Sequence, residues 1–112
     1  MSSRGYTEGT AYIDVTSLEA VECTQRVRSR NNSVTWLVRN LTKVEVTVDL
    51  KNFKGVAGAG PLGYTPLDLS IGPLPPGHRG AIRGDFTGRP GDVYDYGVVV
   101  NGRTATDPQI EI

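Results

Sequence analysis

Cysteine, histidine, methionine and tryptophan each occur once in this chain of 112 residues, and that scarcity removes whole classes of chemistry. A lone Cys23 can form neither an intrachain disulfide nor a thiolate metal cluster, and it reads as a small buried hydrophobe on a strand. Excess charge is missing too. Twelve basic residues balance 12 acidic ones, so the chain as a whole offers no field to attract a nucleic acid. No apolar run approaches the ~18 residues needed to cross a bilayer, and Met1–Gly9 lacks the basic and apolar regions of a signal peptide. The expected setting is cytoplasmic, with no membrane partner.

Helices are the next absence. Fourteen glycines and 7 prolines interrupt the chain, and the apolar residues recur with period two rather than 3.6. Val44, Val46, Val48 and Leu50 alternate with Glu45, Thr47 and Asp49, the pattern of a strand with one wet face. Val34-Thr35-Trp36-Leu37-Val38 is apolar on both faces and so predicts a central strand, with Val34, Trp36 and Val38 turned to the core. Further strands are expected over Ala11 to Val15, Ala20 to Arg28, Leu67 to Ile71, Ala81 to Phe86 and Val93 to Val100. Tyr94, Tyr96, Val98 and Val100 should share one side of the last of these. Asn31-Asn32-Ser33 reads as a turn and Asn101-Gly102 as a hairpin. A closing strand should then end with Ile110 and Ile112. Short strands at this spacing predict an all-β, two-sheet antiparallel or mixed sandwich of about seven to nine strands. Residues 10–112 should form one domain behind a flexible segment, 1–9.

Two stretches break the rhythm, Gly55 to Pro66 and Gly72 to His78. Long loops are costly to order and often carry function. Within the first, Gly58-Ala59-Gly60-Pro61-Leu62-Gly63 spells a dinucleotide fingerprint. Pro66 follows too soon for the helix whose N-terminus would hold the pyrophosphate, so no nucleotide is expected. His78 sits among prolines and glycines with no nucleophile elbow anywhere in the chain. Asp85, Asp92 and Asp95 do not fit the calcium-loop spacing. No catalytic residue, cofactor or metal ligand is assigned, and the chain is not read as an enzyme.

Arg26, Arg28 and Arg30, with Arg39 on the next strand, read as a basic stripe on one sheet face, since cross-strand neighbours can touch. No aromatic residue interleaves with them to stack a base. Together with Tyr64 and His78 from the loops, these arginines form the expected partner or ligand surface.

Val34-Thr35-Trp36, Pro90-Gly91, Tyr94-Asp95-Tyr96 and the closing Gln109-Ile110-Glu111-Ile112 resemble the cupredoxins, the small blue-copper sandwiches, over Asp14 to Ile112 in outline. Immunoglobulin-like sandwiches share much of this pattern. A type-1 copper site needs two imidazoles and a thiolate. The resemblance puts those ligands at Val98, near Asn101 and within Thr42 to Val44, and none is present. It therefore implies a cupredoxin-like or immunoglobulin-like fold without metal and without copper electron transfer.

The function expected from these residues is a non-catalytic binding or assembly module for a protein partner or for self-association. One version uses the last strand as an exposed edge to which a partner adds a strand. The alternative is a small-ligand or carbohydrate-binding domain that stacks its ligand on Tyr64, Tyr94 or Tyr96.

Overall fold

The alternating pattern resolves into short strands in a computed structural model that describes residues 7–65 and 69–112. In chain order they are β1 (Thr7–Glu8), β2 (Thr10–Val15), β3 (Val21–Cys23), β4 (Arg26–Arg28), β5 (Ser33–Asn40), β6 (Val46–Gly55), β7 (Gly63–Thr65), β8 (Leu69–Leu74), β9 (Arg79–Thr87), β10 (Val93–Val100), β11 (Arg103–Thr106) and β12 (Gln109–Glu111). Two sheets form. The large sheet runs β1-β4-β12-β10-β6-β8, with β11 also paired to β10, and the small sheet runs β3-β2-β5-β9-β7. Both are mixed: β2 lies parallel to β5, and β4 lies parallel to β1 and β12. The fold is an all-β, two-sheet sandwich.

Side chains from the inner faces of both sheets make the core. From the small sheet come Ile13, Val34, Trp36, Val38 and Phe86; from the large sheet come Val46, Val48, Tyr96, Val98 and Ile110, all buried. Each fully buried aliphatic or aromatic side chain contributes about 1.5–3 kcal/mol of transfer free energy. Trp36 meets Phe86 and Tyr96 edge-on, each at a centroid distance of 5.8 Å. That geometry suits the ring quadrupoles.

The run from Ala20 to Arg28 is two strands, not one. β3 pairs with β2 in the small sheet, whereas β4 pairs with β12 in the large sheet. The chain changes sheets at Thr24-Gln25, where the Thr24 hydroxyl accepts from Tyr12 N–H at 3.0 Å and Gln25 C=O accepts from Gln109 N–H at 2.8 Å. Cys23 and Val27 are both buried on either side of the crossing, and the alternation breaks between them, where Thr24 is buried and Gln25 exposed. Thr7–Glu8, expected in a flexible segment, form β1 on the edge of the large sheet; residues 1–6 lie outside the described residues.

Val44 was expected in the core and is 46 % exposed. Strand β6 starts only at Val46. The buried side chain of Asn40 causes the delay. Its Nδ2 donates to the carbonyls of Val44 and Leu74 at 2.8 and 2.9 Å, and its Oδ1 accepts from Thr42 N–H and the Thr42 hydroxyl at 2.9 and 2.7 Å. The loop Leu41–Glu45 is thereby folded around a side chain and held off the ladder.

The closing strand is also divided. Pro108 separates β11 from β12, both of which pair with β10. Strand β12 lies between β10 and β4, with Ile110 fully buried. It is an interior strand and offers no free edge, so the strand-addition version built on it falls. Asn101 and Gly102, at φ 48° and 83°, make the expected hairpin turn, and Asn31 and Asn32, at 52° and 63°, make a second. Asparagine tolerates this left-handed region better than other side-chain-bearing residues.

Candidate functional site

The loops expected to carry function are tied to the scaffold. Gly60 N–H donates to the Asp92 carboxylate at 2.9 Å, and Gly60 C=O accepts from the Tyr94 hydroxyl. Arg89 bonds both Asp92 and the carbonyl of Gly58. The Gly60 N–H, helped by Arg89, holds the Asp92 carboxyl below its usual range against a smaller opposing effect of burial. Strand β8 runs through Pro73 to Leu74 on a sheet edge, where a missing N–H is tolerated. Residues 66–68 lie outside the described residues, so the Leu67 start expected for that strand does too.

The basic stripe is divided between the two sheets. Arg26 and Arg28 stand on β4 in the large sheet and are answered there by β12. The Arg26 guanidinium donates to Gln109 Oε1 at 2.7 Å, and Arg28 pairs with Glu111 at 2.8 Å. Arg39 stands on β5 in the small sheet, where its Nε and Nη2 donate to Asp14 Oδ1 and Oδ2, both at 2.8 Å. That hydrogen bonding, then the Asp14 charge itself, raises the Arg39 pKa further. Arg30 is in the β4–β5 turn. His78 is exposed in the β8–β9 turn, its N–H on Pro75 C=O at 3.0 Å and its C=O accepting from Asn40 N–H at 2.9 Å. The backbone of Tyr64 pairs with Phe86, and its side chain lies outside the described residues.

The tyrosine reading loses two of its residues. Tyr94 and Tyr96 are each 2 % exposed, so neither offers a stacking surface. Burial raises both phenol pKa values, and the Asp92 charge adds to that of Tyr94. Cys23 is buried as expected, and burial pushes its thiol up to about 11. Asp85, Asp92 and Asp95 diverge, toward Ser33, Gly60 and Gln109 respectively. Among the described residues no three His, Cys, Asp or Glu side chains come together as metal ligands.

What the fold does assemble is the outer face of the small sheet. Because side chains alternate, residues between the core positions of β2, β5 and β9 all point outward. Tyr12 lies opposite Leu37, and Leu37 opposite Ala81. Tyr12 is 43 % exposed and Leu37 39 %, with Ala81 exposed beside them. One step along the strands, Glu22, Asp14, Arg39 and Arg79 form a charged row across β3, β2, β5 and β9. One step the other way are Thr10, Thr35 and Arg83.

A groove of about 410 Å³ opens on this face over Tyr12, Leu37, Arg39 and Arg79. A more polar hollow of about 280 Å³, lined in part by Glu8, Arg30, Ser33 and Arg83, continues it toward the β4–β5 turn. Arg30 and Arg39 thus border one surface, and Arg26 and Arg28 another. Tyr12, Leu37, Arg79 and Ala81 did not stand out in the sequence. The signals were Tyr12 and Leu37, each an aromatic or apolar residue on the second face of a strand whose other face already fills the core.

No protein-family model matches the chain, and no curated protein and no solved structure is significantly similar to it.

Proposed function

We propose that this chain is a non-catalytic binding module, a cupredoxin-like sandwich without copper, that engages a protein partner through the outer face of its small sheet. The observation that carries the reading is Tyr12 and Leu37, exposed side by side on paired strands over a groove. Single exposed hydrophobes are ordinary on any protein. Two adjacent ones on a rigid sheet, continued by Ala81 and bordered by arginine and carboxylate side chains, have the make-up of an interface centre with a polar rim. The mixed pairing of β2 with β5 and of β4 with β12 supports the cupredoxin-like arrangement over the immunoglobulin-like one, whose sheets are antiparallel. The face carries both signs of charge, which favours a protein over a polyanion.

A photo-crosslinking amino acid at position 37, with position 28 on the opposite sheet as control, tests this in the cells that make the protein. The expected result is a discrete adduct from position 37 that disappears when Arg79→Glu is added. Adducts of the same kind from both positions, or none from position 37, would overturn the reading.

A further inference from the structure

We infer that the occupant of this face is a second copy of the chain, packed sheet on sheet about a two-fold axis that runs along the strands between β2 and β5. The inference rests on the binding surface proposed above and names its partner.

The order of charges across the strands carries it. Asp14 is opposite Glu22 on one side and Arg39 on the other, and Arg39 is opposite Arg79. The row therefore reads acid, acid, base, base. Asp14 and Arg39 neutralise each other at the middle of the row. Its ends, Glu22 and Arg79, are both exposed, and neither has an ion-pair partner among the described residues. With strands about 4.8 Å apart, the two ends are separated by about 14 Å.

A two-fold axis along the strands reverses the left-to-right order of the strands and leaves height along them unchanged. Strand β2 then faces β5 of the second copy, and β3 faces β9. Tyr12 covers Leu37 of the other copy, and Glu22 meets its Arg79. Each contact occurs twice, as an isologous interface requires. The alternative axis, across the strands, sets Arg79 over Arg83 of the second copy and repels. Two twisted sheets pack face to face at about −30°, which the strand-parallel axis accommodates by bisecting the angle. Glutamate and arginine are long enough to absorb the resulting offset.

The size of the face sets the strength. Strand β5 has 8 residues, so at about 3.3 Å per residue the face is roughly 20 by 25 Å. A footprint of roughly 500 Å² per copy is below the ~800 Å² per partner of a standard interface. The pair is reversible and forms at micromolar concentrations and above.

Sedimentation velocity on the intact chain between about 1 and 500 μM tests the assignment. The expected result is a monomer of 12.1 kDa that converts to dimer as concentration rises. Glu22→Arg alone and Arg79→Glu alone each put like charges together at both rims and weaken association about tenfold or more. An equimolar mixture of these two variants associates about as well as the original chain, because opposite charges meet at both rims of the mixed pair. Both substitutions are on exposed positions, and unchanged urea midpoints verify that the variants fold. A chain that stays monomeric at 500 μM, or a dimer indifferent to both reversals, would overturn the inference. If the chain stays monomeric while the position-37 adduct is a different protein and still depends on Arg79, the second-copy assignment alone falls. Loss of that adduct as well removes the surface with it.

Discussion

The indole N–H of Trp36 donates to the Tyr96 hydroxyl at 3.0 Å, joining the small sheet to the large one through the centre of the core. Trp36 is 0 % exposed and Tyr96 2 %, so neither polar atom can turn to water in exchange. Tyr96→Phe leaves the indole donor unsatisfied and is expected to cost about 1–3 kcal/mol in urea unfolding. Trp36→Phe loses packing as well and costs more, about 2–5 kcal/mol. A double variant that costs clearly less than the sum of the two establishes the hydrogen bond as their shared term.

Alkali should destabilise this protein. Burial raises the Cys23 thiol from 9.0 to about 11 and raises the Tyr96 phenol above its ordinary value. The folded state keeps both protons at pH values where the unfolded chain has released them. The stability they confer is complete below about pH 9 and declines as pH rises through 9 to 11 for Cys23, and above about pH 10 for Tyr96. Unfolding midpoints measured from pH 7 to 11 should fall in this sense, and Cys23→Ala should flatten the part of the decline between 9 and 11. The same buried thiol should react with alkylating reagents slowly until urea opens the fold.

Asn40 should be among the least replaceable polar residues. Its side chain satisfies two carbonyls and accepts from both the N–H and the hydroxyl of Thr42. Asn40→Ala strands the buried Leu74 carbonyl and releases the loop that the side chain holds, and is expected to cost about 1–3 kcal/mol. Hydrogen exchange should show the loss first in Leu41–Glu45 and at the start of β6.

Asp14 and Arg39 belong to the scaffold even though they sit on the proposed surface. Asp14 is 4 % exposed and Arg39 grips both of its carboxylate oxygens, so Arg39→Leu removes a cation from a buried carboxylate and should lower the urea midpoint. Replacing both with leucine should recover most of that loss. Charge tests of binding therefore belong at Glu22 and Arg79, where folding is not at stake.

The sequence was most legible where one strand stayed in one sheet. Val93–Val100 falls on its expected bounds, and Val34, Trp36 and Val38 fill the core as their spacing implied. Asn101-Gly102 turns where its left-handed preference requires. Period-two alternation, however, carries no label for which sheet a strand joins. Cys23 and Val27 keep the same parity while the chain changes sheets between them, with only the exposed Gln25 to mark the break, and this divided Arg26 and Arg28 from Arg39. Parallel pairs such as β2 with β5 join residues distant in the sequence, and local patterns do not encode them. The proposed surface was hidden for the same reason. Tyr12, Leu37 and Ala81 become neighbours only through register.

The proposed face has a rival in Leu18, Leu41 and Val44, which are 43, 50 and 46 % exposed in the β2–β3 and β5–β6 loops. Hydroxyl-radical footprinting compares the two surfaces in one experiment, on dilute protein, concentrated protein and protein in extract of the cells that make it. An interface on the proposed face requires that Tyr12 and Leu37 become protected on association while Leu18, Leu41 and Val44 react as they do in dilute solution. Protection of the loop residues with Tyr12 and Leu37 left fully reactive would contradict it.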